Sequence, residues 1–453
     1  MELVRVTELT SEFEGRASYV RADGSTKKIT LPFTMPGDEV EVEVKRGRVK
    51  AACVVAKSAE HILPRCVHFG SCGGCAAQHI PYSVQLSLKE QHIKTLFEPY
   101  SVASTTFHPI IPSCTPYEYR NKMEFSFSED RKGEKFFGLM LKNRRGDVFN
   151  VTECHLVDPW FVDALQHART WWHESTLHAY NYRNNTGSLR TLILRHAMVS
   201  NDRLAMLTVS GNPDFALKKK DLDTFVEKMR AVGATSIFLR IQQVMKGHPT
   251  QMYEMCLFGP DYIREEVTIQ GKSLEFHVSP QAFFQPNTHT AQKLYNRVCE
   301  LAKITPESIV YDLYAGIGVF GMCVASFVKE VIAVEISPEA AYDAKTNAAR
   351  MQIKNFSIYN GDVGKLLEDG TVAAKPPDVV IVDPPRAGLD ARAVHGLIKL
   401  APKTIVYVAC NPETQAANVA IFLQNGFILS DVQPVDQFPQ TPHCENIVIM
   451  HRP

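Results

Sequence analysis

The chain has 453 residues, and its 49 Lys and Arg balance its 49 Asp and Glu, so the formal net charge is zero. A hydrophobic fraction of 45% and a charged fraction of 22% are those of a globular protein and exclude a disordered, collagen-like or coiled-coil chain. The length predicts two or three domains, and the charge balance excludes a protein held on nucleic acid by net charge alone. No apolar run reaches the roughly 18 residues that span a bilayer, so we expect a cytoplasmic protein without membrane contact.

Residues 1–58 are predicted to form a small, OB-like β-barrel. Charged and apolar residues alternate from Glu39 to Val44 with the two-residue period of a half-buried strand. Turns such as Asp23-Gly24 and Pro36-Gly37 separate this strand from its neighbours. Five short strands in so few residues are typical of a barrel.

Residues 59–280 are predicted to form a central α+β domain that begins with a cysteine cluster. Cys66, Cys72 and Cys75 lie within ten residues, close enough to bind one inorganic centre, and Cys154 is the best candidate for a fourth ligand. Zinc and a four-iron four-sulfur cluster both accept four thiolates, but three clustered cysteines with one remote cysteine favour the iron–sulfur cluster. The alternatives for the fourth ligand are Cys53 and Cys114.

The rest of the central region is predicted to contain an antiparallel sheet. Side chains alternate along residues 119–127 and 190–195, as they do in strands with one buried face. Between Ala179 and His248 there are 11 Lys and Arg against 5 Asp and Glu. This local excess of positive charge indicates either a surface that binds a polyanion or a solvated face.

Residues 281–453 are predicted to form a doubly wound, Rossmann-like α/β domain. Short apolar strands alternate with helical stretches here, which is typical of a parallel sheet covered on both faces. The predicted strands are residues 309–311, 331–334, 379–382 and 404–408.

A glycine turn follows the first of these strands. Gly316, Gly318 and Gly321 form a G-x-G-x-x-G pattern, in which missing side chains let the backbone approach a ligand. Glu335 ends the second strand 19 residues after Gly316, where its carboxylate would accept hydrogen bonds from ribose hydroxyls. This pattern fits NAD and S-adenosylmethionine equally.

Two later motifs weigh against NAD. Asp383-Pro384-Pro385-Arg386 ends the third strand and Cys410-Asn411-Pro412 the fourth, at the sheet edge where α/β domains bind ligands. A hydride transferase has no evident need for a thiol at that edge.

With these motifs the chain resembles the S-adenosylmethionine-dependent RNA uracil-5 methyltransferases over nearly its whole length. Their order is completed by the segment 283–287 before the glycine turn and by His443-Cys444-Glu445 near the end. The resemblance implies that Cys410 is the nucleophile and Glu445 the base. It places Gln285, Tyr314, Glu335 and Asp383 in the cofactor pocket. A polar residue that many members have after the second glycine is missing, because Val319 and Phe320 stand there.

The resemblance extends to the first two domains. Residues 1–58 resemble the TRAM-like RNA-binding barrel of this family, and the cysteine cluster resembles that of the branch acting on 23S rRNA, with tRNA as the alternative substrate. RNA is therefore the expected partner, and we expect a monomer without an obligate protein partner. The implied 4Fe-4S ligands are Cys66, Cys72, Cys75 and Cys154. The expected phosphate contacts, unless they only solvate an edge strand, are Arg46, Arg48 and Lys50.

This chemistry requires both a thiolate and a base. Carbon 5 of uracil is weakly nucleophilic, and addition of a thiolate to carbon 6 produces an enolate whose carbon 5 can attack the sulfonium methyl group. A base must then remove the carbon 5 proton so that the thiolate can leave. The competing hypotheses are an NAD-dependent iron–sulfur oxidoreductase and an RNA-binding module with a degenerate enzyme domain.

Overall fold

A computed structural model describes residues 2–21, 23–45, 48–144, 146–244, 247–372 and 375–453. Its first unit is an antiparallel sheet in the order β3-β2-β1-β4-β5. The strands are β1 (Glu2–Leu9), β2 (Gly15–Val20), β3 (Thr26–Leu31), β4 (Glu39–Lys45) and β5 (Arg48–Ala56).

The five predicted strands are present, and the predicted OB-like barrel is confirmed only in part, as an antiparallel half-barrel. Strands β3 and β5 are the two edges of the sheet, and no ladder joins them in the described part of the chain, so the sheet is an open half-barrel. Most side chains of β5 are exposed, and this strand therefore supplies few apolar groups for a closed interior. Arg48 and Lys50 are exposed on β5, whereas Arg46 lies outside the described residues.

The central unit is a sheet of seven strands in the order β13-β12-β11-β10-β7-β8-β9. It was expected to be antiparallel, and every neighbouring pair is, except β11 and β12. That pair is parallel because helix α3 crosses over between the two strands. The elements are β7 (Lys122–Glu129), β8 (Lys135–Met140), β9 (Val148–Asn150), α2 (Pro159–Glu174), β10 (Leu189–His196), β11 (Arg203–Ser210), α3 (Lys219–Ala231), β12 (Ser236–Gln243) and β13 (Gln251–Phe258).

The third unit is an eight-stranded sheet in the order β18-β17-β16-β19-β20-β22-β21-β6, in which β6 is Thr106–Phe107. A hairpin of β14 (Ile263–Ile269) and β15 (Lys272–Val278) precedes it. Its elements are α4 (Thr288–Leu301), β16 (Ile309–Leu313), α5 (Val319–Ala325), β17 (Glu330–Glu335), α6 (Pro338–Arg350), β18 (Phe356–Asn360), α7 (Val363–Glu368), β19 (Val379–Val382), α8 (Ala391–Leu400), β20 (Thr404–Ala409), α9 (Pro412–Gln424), β21 (Ile428–Val435) and β22 (Glu445–His451).

This sheet is mixed, so the expectation of a purely parallel doubly wound sheet is wrong at one end. Strands β16 to β20 are parallel, but β22 runs antiparallel to both β20 and β21. The start of β22 therefore lies beside the end of β20, with Asn446 opposite Ala409. Because of this reversal, a residue at the beginning of β22 lies beside the carboxyl ends of the parallel strands.

Residues before 280 also contribute to this sheet. Strand β6 (Thr106–Phe107) pairs with β21 at its edge. Helix α1 (Tyr82–Phe97) packs its buried Ile93 and Phe97 into the same apolar core as β16, β19 and β20. None of the helices in the described ranges is both long and apolar enough to span a bilayer.

Candidate functional site

Two cavities meet at Cys410. The larger, of about 650 Å³, lies along the carboxyl ends of the parallel strands, and the smaller, of about 380 Å³, opens between α1, the start of α9 and residues 442–444. Cys410 and Arg386 line both cavities. The six catalytic and cofactor-binding residues expected from the sequence all line the larger one, namely Gln285, Tyr314, Glu335, Asp383, Cys410 and Glu445.

The glycine turn forms one wall of the larger cavity. Gly316 and Gly318 have φ angles of +56° and +80°, a conformation that glycine adopts without strain. Tyr314, just before them, also has a positive φ of +65° and carries the kind of backbone strain that concentrates at functional sites. Glu335 fixes the turn, because its carboxylate accepts hydrogen bonds from the backbone N–H groups of Gly316 (2.8 Å) and Ser337 (2.7 Å).

The third glycine has a packing role that the sequence did not specify. A Cβ atom at Gly321 would stand 2.9 Å from the carboxylate of Asp312, so a larger residue does not fit there. The Gly321 N–H donates to this same carboxylate at 2.8 Å. Burial raises the pKa of Asp312 to about 7, and Glu335 adds to this rise. Asp312 was not singled out from the sequence, although its position at the end of β16 was a signal.

Gln285 and Asp383 meet across the larger cavity, where the Gln285 amide donates to the Asp383 carboxylate at 3.4 Å. The segment before Gln285 is held by the buried Arg195, whose guanidinium donates to the carbonyls of Ser279 (3.0 Å) and Ala282 (2.9 Å). The Asn121 amide donates to the Gln285 carbonyl at 2.8 Å. Arg195, expected to belong to a polyanion-binding surface or a solvated face, is thus a buried support of the site.

Cys410 lies at the junction between β20 and α9. The Asn411 side chain caps helix α9 by accepting a hydrogen bond from the Thr414 N–H at 3.4 Å. Pro412 lies in the first turn of α9, where the missing N–H of proline costs no helical hydrogen bond. The Asn411 amide also donates to the Arg386 carbonyl at 3.1 Å. The Cys-Asn-Pro sequence therefore aims the thiol at the cavity and ties it to the Asp-Pro-Pro-Arg motif.

Three acidic groups share this end of the cavity. Glu445 is only 2% exposed, and burial raises its pKa well above the ordinary value, an effect that Asp383 reinforces and Arg386 opposes. Burial raises the pKa of Asp383 to about 7, with Asp312 as the next cause. Burial likewise raises the pKa of the Cys410 thiol to about 11, with Glu445 and Asp383 adding to the rise. A cation placed here would lower all three pKa values.

The loop that leads to Glu445 is anchored by groups distant in sequence. The Lys89 ammonium pairs with Asp436 at 2.6 Å, and the Tyr82 hydroxyl donates to the other oxygen of Asp436 at 2.8 Å. The Gln440 carbonyl accepts from the backbone N–H groups of Ala76 (2.8 Å) and Ala77 (3.2 Å), directly after Cys75 in the chain. These contacts were not predictable, because no local pattern pairs residues so far apart.

The four cysteines expected as ligands line a separate small pocket, together with Gln78 and Phe149. The other two candidates, Cys53 and Cys114, are exposed and do not line it. No group of three or more His, Cys, Asp or Glu side chains within the described residues is arranged to hold a metal ion. The structure therefore gathers the four thiols around one pocket but does not show a metal centre.

Comparison with known proteins identifies the family. A profile described as tRNA (Uracil-5-)-methyltransferase matches residues 239–453. The chain is 45% identical to an uncharacterized RNA methyltransferase of Protochlamydia amoebophila, over 93% of this chain and 100% of that protein. It is 35% identical to one of Chlamydia trachomatis, over 85% and 98% of the two chains.

A solved structure shares the fold. The tRNA (uracil-54, C5)-methyltransferase of Pyrococcus abyssi in complex with S-adenosyl-L-homocysteine aligns with a TM-score of 0.73 at 24% identity, covering 99% of this chain and 100% of the other. The Protochlamydia relative shows the RNA methyltransferase family over 93% of this chain, and the matching profile specifies carbon 5 of uracil. The chain therefore belongs to the S-adenosylmethionine-dependent RNA (uracil-5-)-methyltransferase family.

Proposed function

We propose that Cys410 and Glu445 carry out the methylation of a uridine in RNA at carbon 5. The observation that carries this proposal is their position at one end of the larger cavity, with Cys410 also facing the smaller one. The nucleophile is thus reachable from the cofactor side and from the substrate side at once. Asp383 and Arg386 complete the same end.

The larger cavity is the proposed site of S-adenosylmethionine. The Glu335 carboxylate already accepts hydrogen bonds from two backbone N–H groups. Its oxygens retain lone pairs that can accept further hydrogen bonds from ribose hydroxyls. Gln285 and Asp383 supply polar groups near the reacting end, and the acidic Asp383 suits a cationic sulfonium. The cavity volume of about 650 Å³ is in the range of sites for cofactors of this size.

The reaction steps follow from these positions. The Cys410 thiolate adds to carbon 6 of uracil, and the electron pair released at carbon 5 attacks the methyl group, leaving neutral S-adenosylhomocysteine. Glu445 then takes the proton from carbon 5, and the returning electron pair expels the thiolate. A carboxylate with a raised pKa is a stronger base than an ordinary one, which matches this last step.

A 4Fe-4S cluster is the proposed occupant of the cysteine pocket. The four thiols line one pocket, which is the arrangement that a shared inorganic centre requires. Three clustered cysteines with one remote cysteine favour the iron–sulfur cluster over zinc, whose sites usually have two close pairs. Two of the sulfurs accept hydrogen bonds, each at 3.3 Å. The Gly74 backbone N–H donates to the Cys72 sulfur, and the Gln78 side-chain amide donates to the Cys75 sulfur.

The proposed substrate is 23S rRNA, because the four-cysteine arrangement resembles that of the ribosomal branch of the family. A tRNA substrate is the second candidate, favoured by the description of the family profile that matches residues 239–453. Arg48 and Lys50, exposed on the half-barrel, are proposed phosphate contacts. Mass spectrometric mapping of 5-methyluridine in both RNAs, from cells with and without this protein, tests the choice. Loss of a 5-methyluridine from tRNA alone would contradict the ribosomal assignment.

A further inference from the structure

The smaller cavity meets the larger one at Cys410, and this position indicates which part of the RNA substrate it holds. Glu445 lines only the larger cavity, whereas Cys410 lines both. A uracil ring that reaches both side chains must lie at the junction, since it has to contact the thiol and the base together. The smaller cavity, of about 380 Å³, is then the space left for its ribose and for an adjacent nucleotide. This step rests on the proposed function.

The half-barrel forms part of the wall of this cavity. Ser11 and Glu12, in the turn between β1 and β2, are exposed and line it. The turn is closed by hydrogen bonds from the Thr10 N–H to the Glu14 carbonyl (2.8 Å) and from the Phe13 N–H to the Thr10 carbonyl (3.0 Å). These bonds fix the backbone on both sides of Glu12.

Phe13 holds this turn against the rest of the protein. Its φ is +62° and its side chain is 1% exposed, packed with Ala77 and Ile80 from the segment before α1. A non-glycine residue keeps such a backbone conformation only where its surroundings hold it there. The buried ring therefore fixes the turn, and with it the position of Glu12 beside the Cys410 cavity.

The charged groups around this cavity differ in whether they are already paired. Lys89 is paired with Asp436, and Glu413 lies 3.0 Å from His92. Glu12, by contrast, makes no hydrogen bond or ion pair with any residue in the described ranges, although it lines the cavity. An ionised carboxylate only accepts hydrogen bonds and repels phosphate, so the group it binds must be a donor.

We propose that Glu12 recognises a nucleotide adjacent to the target uridine by accepting a hydrogen bond from it. Nucleotides offer three kinds of donor, namely the amino group of A, C or G, the ring N–H of G or U, and the ribose 2′-hydroxyl. Any of these donors would be held beside Cys410 by a residue of the half-barrel. The N-terminal unit then takes part in choosing which uridine is methylated, in addition to any contact it makes with phosphates.

The test is a cycle of protein and RNA changes. Hairpin RNAs carrying the mapped uridine are made with each neighbouring nucleotide replaced by an analogue without the base amino group, by an analogue without the ring N–H, or by its 2′-deoxy form. Values of kcat/KM are measured for the wild type, for Glu12→Ala and for Glu14→Ala, a control in the same turn that lines neither cavity. Calorimetry with S-adenosylmethionine checks that each protein is folded.

We expect one analogue to lower the wild-type kcat/KM about tenfold, the loss of one hydrogen bond to a charged group. Glu12→Ala should show the same loss with unmodified RNA and no further loss with that analogue, while Glu14→Ala behaves like the wild type. The type of analogue identifies the donor. Equal sensitivity of the wild type and Glu12→Ala to every analogue, or sensitivity in neither, would overturn this inference and leave the proposed function intact. A wild type that binds the cofactor but methylates no RNA would refute both.

Discussion

Lys89 and Asp436 form an ion pair of 2.6 Å between Nζ and Oδ1, with side chains only 1% and 0% exposed. Lys89 also donates to the Phe438 carbonyl at 3.0 Å. One helix residue thus holds two positions of the loop that ends at Glu445. The pair supports the proposed base from a part of the chain that precedes the methyltransferase sheet.

Removing one partner of this pair should destabilise the protein. Lys89→Met keeps the length of the side chain but leaves Asp436 buried without its counterion, which costs about 3 kcal/mol of unfolding free energy or more. Urea denaturation measures the change. Lys94→Met, on the exposed side of the same helix, is the control and should change the unfolding free energy by less than about 0.5 kcal/mol. Equal values for both variants would show that the pair is not needed for stability.

Cys410→Ser should abolish methylation while leaving cofactor binding unchanged. Oxygen is a poor nucleophile for conjugate addition, but serine nearly matches cysteine in shape, and Cys410 contributes no hydrogen bond to the glycine turn. Methylation of RNA with labelled cofactor and calorimetry of cofactor binding measure the two effects. Cys299→Ser, at a buried cysteine that lines neither cavity, is the matched control and should remain active. Normal turnover by Cys410→Ser would rule out this cysteine as the nucleophile.

Binding of S-adenosylmethionine near pH 7 should release protons. Burial raises the pKa of Asp383 to about 7 in the free protein, so this carboxyl is partly protonated there. A sulfonium placed beside it lowers this pKa, and the proton leaves as the cofactor binds. The affinity should therefore rise as the pH rises through 7, because the ionised form binds better.

Calorimetry in buffers of different ionisation enthalpy counts these protons. Binding of S-adenosylhomocysteine, whose sulfur carries no positive charge, should release fewer protons than binding of S-adenosylmethionine. The Asp383→Asn variant should release fewer protons than the wild type with either compound. Equal proton release with the two compounds would show that the sulfonium does not lie near the acidic groups.

Tyr314, Glu335 and Asp383 line one cavity because each lies at or just after the end of a parallel strand, and parallel strands end on the same side of the sheet. Gln285 lies in the loop between β15 and α4, and only the family resemblance placed it in the pocket. Glu445 reaches the cavity in a different way. It is the first residue of the antiparallel strand β22, and the pairing of β22 with β20 places it beside the carboxyl ends of the parallel strands. That reversal has no signal in the periodicity of the sequence.

The contacts that support the site could not be predicted. Lys89 and Asp436 are 347 residues apart, and a buried lysine has the same local sequence pattern as an exposed one. The barrel prediction was correct only in part, for a related reason. Alternation along β4 identified a strand with one buried face, but it did not show that β5 would leave most of its side chains exposed and the sheet open.

The cysteine pocket should bind iron. Protein purified without oxygen should be brown and contain about four irons per chain, as expected for a 4Fe-4S cluster. Cys154→Ala should lose the colour and the iron, whereas Cys114→Ala, at an exposed cysteine outside the pocket, should keep both. Metal analysis and absorption spectra measure the outcome. Stoichiometric zinc in place of iron would contradict the proposed cluster.

The role of Glu445 is tested most directly by trapping the covalent intermediate. If Cys410 adds first and Glu445 acts only after methyl transfer, Glu445→Gln should still attack uracil and move the methyl group. It should then fail to remove the carbon 5 proton, because glutamine keeps the shape of glutamate but is not a base. Cys410 would remain bonded to the methylated RNA.

The measurement is denaturing electrophoresis of Glu445→Gln after incubation with RNA and methyl-labelled S-adenosylmethionine. We predict a labelled protein–RNA band that survives denaturation and is absent when Cys410 is also changed to Ala. Normal turnover by Glu445→Gln, or a stalled enzyme without a labelled adduct, would contradict the assignment of Glu445 as the base, and His443 would be the next residue to test.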